Sequence, residues 1–299
     1  MSDIAPISID PHIVPWSYRG SYLCLATRSG EGGRLTPANN DVCLVSHIYP
    51  AGLPLFALRP QVAGHALGEP HGFHKDPSPV DFSATPSCLT WSHKGKVVAE
   101  ATFQDVRTIR IRGNTPFSFD SEGSLDVDAW RNWLFRVPPT STEERPVVEF
   151  NSRPDSALVF TALQGRLDLA NEAPSQDNNR RITISPSDGQ STWELEIRER
   201  ERESLAEGPS GMSASNEERS FDSVRKEMEE TFNIYVKDLC PWQKDWSSPS
   251  GQTDQLGAYV MWTSTVRPAG YFKKEAVLMS KLWMNKVSKC RGSKHRVVS

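Results

Sequence analysis

The chain has 299 residues, which is enough for one large domain or two of ordinary size. Hydrophobic residues make up 37% and charged residues 24%, a composition typical of folded cores joined by polar linkers. The formal net charge of −3 argues against the basic surface that binding to nucleic acid or an anionic membrane would need. We therefore expect neither nucleic acid nor membrane as a partner.

The cysteines and the N-terminus indicate a reducing compartment. The five cysteines are widely spaced and include no Cys-x-x-Cys, so they predict reduced thiols and no metal site. The N-terminal stretch "MSDIAPISIDPHIVPW" has no charged segment followed by an apolar run, and we expect no secretory signal. No stretch approaches the ~18 apolar residues of a membrane span. The sequence thus predicts a cytoplasmic protein.

The first region, residues 1–203, predicts an antiparallel β-sandwich domain. Strand-like runs include "WSYRGSYLCLAT", "DVCLVSHIY", "CLTWSHKGKVVAEATF" and "VRTIRIRG", separated by segments rich in Pro, Gly, Ser and Asn. Lys94 and Gly95 form the expected turn inside the third run. Many short strands without helices between them favour two packed sheets.

One strand-like run, "STWELEIRERER", alternates strictly between its two faces. Trp193, Leu195 and Ile197 share the apolar face, which predicts a half-buried antiparallel strand. Glu194 and Glu196 share the other face, which continues in charged residues. We predict that this carboxylate pair lies on a solvated face and takes no part in catalysis.

Residues 204–220 predict a linker, because small and polar residues dominate without a period. Ser215 and Glu218 match a Ser-x-x-Glu capping box and predict a helix start. Apolar residues then recur at a helical period up to Pro241, which ends the first helix. The stripe consists of Phe221, Val224, Met228, Phe232, Tyr235, Val236 and Leu239.

Two more helices are predicted at 253–266 and 274–287, on either side of the break "RPAG". The apolar side of the second helix is predicted to consist of Leu256, Tyr259, Val260, Thr263 and Val266. The third helix is apolar on more than one side and therefore expects neighbours on several sides.

The stretch "WTSTVRPAGYFKKEAVLMSKLWMNKV", residues 262–287, resembles the start of the catalytic barrel in glycoside hydrolase family 63. The likeness is greatest to the branch of mannosylglycerate hydrolases and related α-glucosidase-like proteins, within the six-hairpin glycosidase superfamily. In that branch a helix of the form "SKxWMxNV" runs into "WSWDHCFNA". "WSYRGSYL" is similar to the N-terminal domains of related proteins, and the order of β-sandwich, linker and (α/α)6 barrel also matches.

The resemblance implies hydrolysis of an α-linked glucoside or mannoside with inversion, by a general acid and a general base, without a cofactor. Both carboxylates lie on later barrel helices in that family, after a Trp-Ser-Trp-Asp that "SKCRGSKHRVVS" replaces here. We therefore expect no catalytic residue in this chain. Residues 221–287 would be the first helices of an incomplete barrel, and 288–299 an aberrant basic tail of translated intron sequence. The prediction is a truncated, inactive product.

Three residues of the matched helix are candidate substrate-binding residues: Lys281, Trp283 and Asn285. An aromatic ring there could stack on a sugar face, with the polar side chains beside it. The alternative is that Trp283 belongs to the core and Lys281 to the surface.

Other candidate groups favour structural interpretations. His71 and His74 lie in a loop rich in Gly and Pro with no third ligand, so we predict no metal site there. Asp126 and Asp128 predict a solvated pair.

A second function class stays open beside the glycosidase. The β-sandwich could be a non-catalytic module that binds carbohydrate or a protein partner. Trp16 and Tyr18 are predicted to pack in the core or between domains, with glycan contact as the alternative. We also expect self-association through the exposed helical region.

Overall fold

The structure is a computed structural model. It describes residues 4–10, 14–27, 42–46, 53–62, 80–120, 135–136, 147–150, 153–170, 181–201, 219–268 and 273–277. Within these ranges the chain forms two antiparallel β-sheets, two α-helices and a two-stranded hairpin. The β-sandwich predicted from the sequence is therefore present. The incomplete (α/α)6 barrel predicted for residues 221–287 is not confirmed: the described residues show two helices there, and residues 278–287 lie outside the described ranges.

The first sheet has seven described strands, each antiparallel to its neighbours. In spatial order they are β1 (Trp16–Ser17), β2 (Leu23–Thr27), β3 (Val42–Ser46), β4 (Leu53–Pro60), β9 (Phe117–Asp120), β14 (Arg181–Ser185) and β13 (Arg166–Ala170).

The second sheet has eight described strands, again antiparallel throughout. In spatial order they are β10 (Phe135–Arg136), β11 (Val147–Phe150), β12 (Arg153–Gln164), β15 (Trp193–Glu201), β8 (Thr108–Gly113), β7 (Lys96–Asp105), β6 (Cys88–His93) and β5 (Asp81–Thr85).

Aromatic side chains from both sheets meet in the core between them. Phe56 and Phe119 of the first sheet each pack edge-on against Phe160 of the second, with ring centroids 5.6 and 5.5 Å apart. Phe117 packs edge-on against Trp91 at 5.3 Å and, in a tilted contact, against Trp193 at 5.5 Å. Edge and tilted contacts of this kind add to the large apolar area that each ring buries.

Two details of the β-region confirm the sequence predictions. Trp193, Leu195 and Ile197 of β15 are buried in this core. Lys94 and Gly95 join β6 to β7 and both have positive φ, at 51° and 73°. A two-residue hairpin turn with both residues in the left-handed region matches the twist of the strands that it connects.

The first helix, α1, spans Phe221–Leu239. It begins at Ser220, whose hydroxyl accepts a hydrogen bond from the backbone N–H of Ser223. The predicted capping box, Ser215 and Glu218, lies outside the described residues, and the cap that the structure shows is Ser220. Most of the predicted apolar stripe is buried, but Leu239 at the end of the helix is exposed.

The second helix, α2, spans Pro249–Ser264, with Ser248 as its N-cap. The predicted start at 253 is four residues late. The helix begins at Pro249, because proline is well suited to the first turn of a helix. The predicted apolar side is also wrong: Leu256 and Val260 are exposed, although Tyr259 and Thr263 are buried. The buried side consists of Gly251, Gln255, Ala258, Tyr259, Trp262 and Thr263.

A short hairpin follows α2. β16 (Thr265–Val266) pairs with β17 (Ala276–Val277), so that Thr265 lies opposite Val277. The predicted third helix cannot begin at 274, because the chain is extended through Val277. The rest of that predicted helix lies outside the described residues.

The buried residues of the helices and of the sandwich form one contiguous apolar cluster. Met228 and Phe232 of α1 and Trp262 of α2 belong to the same buried apolar cluster as Trp16 and Phe103 of the sheets. Neither described helix is long and apolar enough to cross a membrane.

Candidate functional site

Helix α1 lies against the outer face of the eight-stranded sheet, where β7 runs beneath it. Thr102 of β7 donates its hydroxyl hydrogen to Met228 Sδ of α1, at 3.7 Å. The neighbours of Thr102 along the strand, Ala101 and Phe103, point into the sandwich core. The strands of this sheet therefore present one apolar face to the sandwich and one polar face to the helix.

Four charged residues join this polar face to α1, and we call them the ionic cluster: Glu100, Arg112, Asp222 and Arg225. Arg112 donates to Glu100 at 2.8 and 2.9 Å and to Asp222 at 3.0 Å. Arg225 of α1 reaches Glu100 at 3.3 Å and Asp222 at 3.4 Å. The hydrogen bond from Arg112 holds the pKa of Asp222 below its usual value.

The aromatic ring at the helix start completes the ionic cluster. The guanidinium of Arg112 lies over the ring of Phe221, 4.3 Å from the centroid. A planar guanidinium can stack on a ring and pair with carboxylates at the same time, which a lysine does less well. Arg112 is therefore fixed on three sides.

The prediction that Glu194 and Glu196 lie on a solvated face is wrong. Glu194 forms an ion pair with Arg110, which also donates to the carbonyl of Arg219 at 2.6 Å. Glu196 is 7% exposed and pairs with Arg198 at 3.1 Å. The charged alternation of "WELEIRERE" indicated a solvated face, but arginines pair with both glutamates and leave them largely buried.

These ion pairs bear on whether the carboxylates of the polar face could act as the acid and base of a hydrolase. General acid–base hydrolysis needs one carboxyl group that can hold a proton and a second that can activate water. Glu100, Glu194, Glu196 and Glu199 instead each form an ion pair with an arginine. These arginine contacts occupy carboxylate oxygens that would otherwise be free to contact a substrate or a water molecule. Within the described ranges, no group of three or more His, Cys, Asp or Glu residues is placed to hold a metal ion.

A pocket of about 280 Å³ opens beside the ionic cluster, where β7, β8, β12 and β15 reach one end of the sheet. Its polar lining includes Asn114, Gln164 and Thr192, together with Glu100, Arg112 and Glu194. Asn114 donates to the carbonyl of Val97 at 3.1 Å, and Gln164 donates to Thr192 Oγ1 at 3.2 Å. Amides retain further donors and acceptors after one such bond, so the pocket offers neutral hydrogen-bonding groups.

The wall of this pocket depends on two glycines around Trp193. A Cβ on Gly113 would lie 2.5 Å from the indole ring, and a Cβ on Gly165 would lie 2.7 Å from the Trp193 Cβ. The indole N–H donates to the carbonyl of Thr115 at 2.6 Å. Trp193 is 1% exposed, so its ring offers no stacking surface to a ligand.

The second contact between sheet and helices is aromatic, and we call it the aromatic junction: Tyr18, Phe232, Tyr235, Tyr259 and Trp262. The ring of Trp262 packs edge-on against Tyr18, Phe232 and Tyr235, with centroids 5.1 to 5.6 Å apart. Its indole N–H donates to the carbonyl of Ser17 at 3.2 Å. Burial raises the pKa of Tyr18, so this phenol stays neutral.

Trp16 and Tyr18 therefore act in packing, as the sequence predicts. Trp16 is fully buried and packs in a tilted contact on Phe103, with ring centroids 4.9 Å apart, and its indole N–H donates to the carbonyl of Thr85. Tyr18 lies at the sheet–helix contact. The ring of Trp16 is therefore closed to a glycan, and the half-buried ring of Tyr18 is in contact with Phe103 and Trp262.

Arg267, just after α2, ties the helical region to the sandwich. It pairs with Glu199 at 2.9 Å and donates to the carbonyls of Gly20 and Val106 at 3.3 Å. Its guanidinium lies 4.7 Å from the ring centroid of Tyr22, whose hydroxyl donates to the Arg267 carbonyl at 2.7 Å. Arg267, the first residue of the break "RPAG", thus anchors the end of the helical region to the sandwich.

The candidate substrate-binding residues Lys281, Trp283 and Asn285 lie outside the described residues. The histidines His71 and His74 do so as well. The same holds for the predicted solvated pair, Asp126 and Asp128.

The residues that organise the site are arginines that the sequence analysis did not single out: Arg110, Arg112 and Arg267. A signal for two of them is present in the sequence. "TIRIR" alternates arginine with isoleucine, and "WELEI" alternates glutamate with apolar residues. Pairing these two runs, as β8 and β15 do, places opposite charges on one face.

Comparisons with known proteins give fold-level likeness only. No family model matches the chain, and no curated protein matches it. A family GH92 α-mannosidase from Bacteroides thetaiotaomicron, in complex with mannoimidazole, is 13% identical with a TM-score of 0.48, over 89% of this chain and 41% of that one. A second GH92 glycosyl hydrolase is 11% identical with a TM-score of 0.48, over 86% and 41%.

A GH92 inverting mannosidase from Bacteroides thetaiotaomicron VPI-5482 is 10% identical with a TM-score of 0.46, over 75% of this chain and 33% of that one. All three neighbours are glycoside hydrolases, and this chain spans less than half the length of each. Because the TM-scores lie below 0.5, these likenesses establish neither a family nor an activity for this chain. Membership of glycoside hydrolase family 63 is not shown.

Proposed function

We propose that this chain belongs to a carbohydrate-active protein of the glycoside hydrolase type and carries its β-sandwich and the first helices after it. By its resemblance to family 63, the activity of the complete protein is inverting hydrolysis of an α-linked glucoside or mannoside. The α-glucosidase-like proteins and mannosylglycerate hydrolases are the models for its substrates.

One observation carries the proposal: the two stretches on which the sequence resemblance rests are in direct contact. "WSYRGSYL" and the start of "WTSTVRPAG" meet through Trp262 and Ser17, through Tyr22 and Arg267, and through a parallel bridge between Gly20 and Val266. Two matches more than 230 positions apart form one buried contact. Two stretches that resembled the family only by chance would not be expected to lie in contact.

We further propose that this chain does not hydrolyse glycosides by itself. Two facts support this: the carboxylates on the polar face are ion-paired with arginines, and the resemblance places acid and base on later barrel helices. The test is release of glucose or mannose from α-linked disaccharides and mannosylglycerate by the purified 299-residue chain. Turnover that stays with the chain through successive purification steps would refute the proposal. Turnover lost specifically in Glu100→Gln or Glu194→Gln would refute the proposal.

A cytoplasmic location is part of the proposal. Its support is the wide spacing of the cysteines and the burial of the Cys88 and Cys240 thiols. Burial raises the pKa of Cys88, which disfavours the reactive thiolate. Fractionation of cells that express the chain tests this, and recovery from the secreted fraction would contradict it.

The second candidate is a non-catalytic carbohydrate-binding module, and the pocket at Asn114, Gln164 and Thr192 favours it. The charged residues at its rim are engaged with one another, so neutral hydroxyls are the ligand that the remaining amides would accept. Calorimetric titration with maltose, kojibiose and α-mannobiose tests it. Gln164→Ala should weaken binding, while Gln190→Ala, an exposed amide outside the pocket, should leave it unchanged. Equal affinity of both variants would exclude this pocket.

A further inference from the structure

Four polar residues lie side by side across the eight-stranded sheet, and we call them the cross-strand row: Gln164, Glu194, Arg112 and Glu100. Each lies opposite the next in the strand register, on β12, β15, β8 and β7 in that order. Residues opposite each other in antiparallel strands have Cβ atoms about 4.5–5.5 Å apart and project from the same face of the sheet. The row is therefore continuous, and all four residues line the pocket beside the ionic cluster.

The two ends of the cross-strand row are held differently. At one end, Arg112 and Arg225 donate hydrogen bonds to both carboxylate oxygens of Glu100. Towards the other end, Glu194 is paired with Arg110 through Oε1, and no described residue donates a hydrogen bond to its Oε2. The side chain of Glu194 keeps 17% of its surface exposed. Glu194 therefore presents an acceptor oxygen that a bound molecule can use.

The groups around Glu194 add hydrogen-bond donors and an apolar surface. Gln164 donates one amide hydrogen to Thr192 Oγ1, which leaves its second amide hydrogen and the hydroxyl hydrogen of Thr192 for a ligand. Asn114 also keeps one amide hydrogen after its bond to the carbonyl of Val97. Val97 lines the pocket and is 47% exposed. A ligand thus meets an acceptor, several donors and an apolar side chain.

The charges around the pocket balance one another. The ionic cluster and the pair of Glu194 with Arg110 together contain three carboxylates and three guanidinium groups. A site without net charge gives no general attraction to an ion of either sign. Recognition there depends on individual hydrogen bonds, which favours a neutral ligand that both donates and accepts.

We infer that this end of the cross-strand row binds a vicinal diol of a neutral sugar, and that Glu194 determines the specificity. One hydroxyl donates to Glu194 Oε2, and the neighbouring hydroxyl accepts from the amide of Gln164 on the adjacent strand. A hydrogen bond to an ionised carboxylate is stronger than one between neutral groups, so the first hydroxyl contributes most. The inference rests on the second candidate function, the carbohydrate-binding module.

The test is calorimetric titration of the 299-residue chain with methyl α-glucopyranoside and methyl α-mannopyranoside. Each glycoside is compared with its deoxy analogues, in which one hydroxyl at a time is missing. For a glycoside that binds, loss of the hydroxyl that donates to Glu194 should weaken binding about tenfold or more. Loss of its neighbour on the ring should have a smaller effect, and loss of the other hydroxyls should leave the affinity nearly unchanged.

Two glutamate variants locate the diol. Glu194→Gln should weaken binding and should remove the discrimination against the critical deoxy analogue, because the charged acceptor is gone. Glu196→Gln is the matched control, since Glu196 lies on the same strand and is paired with Arg198 but does not line the pocket. It should bind with the affinity of the parent chain. Equal losses in both variants would overturn the inference, because the effect would then come from the fold of the strand.

Two further outcomes separate this inference from the module on which it rests. If every deoxy analogue binds as tightly as its parent glycoside while Gln164→Ala weakens binding, the inference is overturned and the module stands. If neither glycoside binds at millimolar concentration, the module and the inference both fail. The deoxy series uses the unaltered chain, so it decides the question even if Glu194→Gln does not fold.

Discussion

The sandwich and the helices are joined twice, by the aromatic junction and by the ionic cluster, and the two contacts work differently. At the aromatic junction, Trp262 is 2% exposed and is in contact with rings from both sides. In the ionic cluster, Asp222 keeps 59% of its side chain exposed. Buried apolar area is worth more than partly hydrated ion pairs. The comparison indicates that aromatic packing supplies the stability, and that the charges fix where α1 lies on the sheet.

The largest effect should come from removing the central ring of the aromatic junction. Trp262→Ala deletes three ring contacts and the bond to Ser17 and leaves a cavity, so we expect a loss of about 3–5 kcal/mol in the free energy of unfolding. Urea denaturation measures it. Trp242→Ala is the matched control, because that ring is 67% exposed, and it should change stability by less than about 0.5 kcal/mol. Similar losses in both variants would contradict the comparison.

Arg267 tests whether a buried charge can matter as much as an aromatic ring. Arg267→Met leaves Glu199, 4% exposed, as a buried carboxylate without its arginine, and we expect a loss of about 3 kcal/mol. Arg166→Met is the control, since Arg166 and Asp168 are exposed and their pair should contribute less than about 1 kcal/mol. If Arg267→Met and Glu199→Gln were both neutral, the anchor assigned to this arginine would be wrong.

The ionic cluster should show a smaller effect that depends on salt. Glu100→Gln keeps the shape of the side chain but removes the charge shared by Arg112 and Arg225, and we expect a loss of about 1–2 kcal/mol. Raising the salt concentration should shrink the difference between variant and parent, because screening weakens partly exposed pairs. The loss for Trp262→Ala should not shrink in this way. A Glu100→Gln effect independent of salt would indicate packing instead.

The smallest effect is expected at Asp222, and it should depend on pH. Its pKa is lowered in the folded state by Arg112, so its stabilising contribution is present above the ordinary carboxyl pKa of about 4 and is lost as the pH falls through the folded value. Asp222→Asn should therefore be less stable than the parent at neutral pH, by less than about 1 kcal/mol. The difference should vanish in acid. Unfolding curves at a series of pH values measure it, and a difference that persists in acid would assign the effect to the first turn of α1.

The sequence by itself determined the β-sandwich and the existence of both helices. Strict alternation in "WELEI" predicted which face of β15 is buried, and the Lys-Gly pair predicted a hairpin turn. Both the side-chain alternation of a strand and the type of a turn depend on residues that are neighbours along the chain. The 3.6-residue period fixed α1 for the same reason. These local rules operate before any tertiary contact forms.

Only the tertiary structure decided which polar and apolar faces are covered. The side of α2 that is buried, the pairing of Glu194 with Arg110 and the anchoring role of Arg267 depend on elements far away in sequence. Glu194 on its alternating strand looks solvated until Arg110 from the neighbouring strand pairs with it. Likewise, a helix with two apolar faces does not reveal which one the sandwich covers, since both carry large apolar side chains.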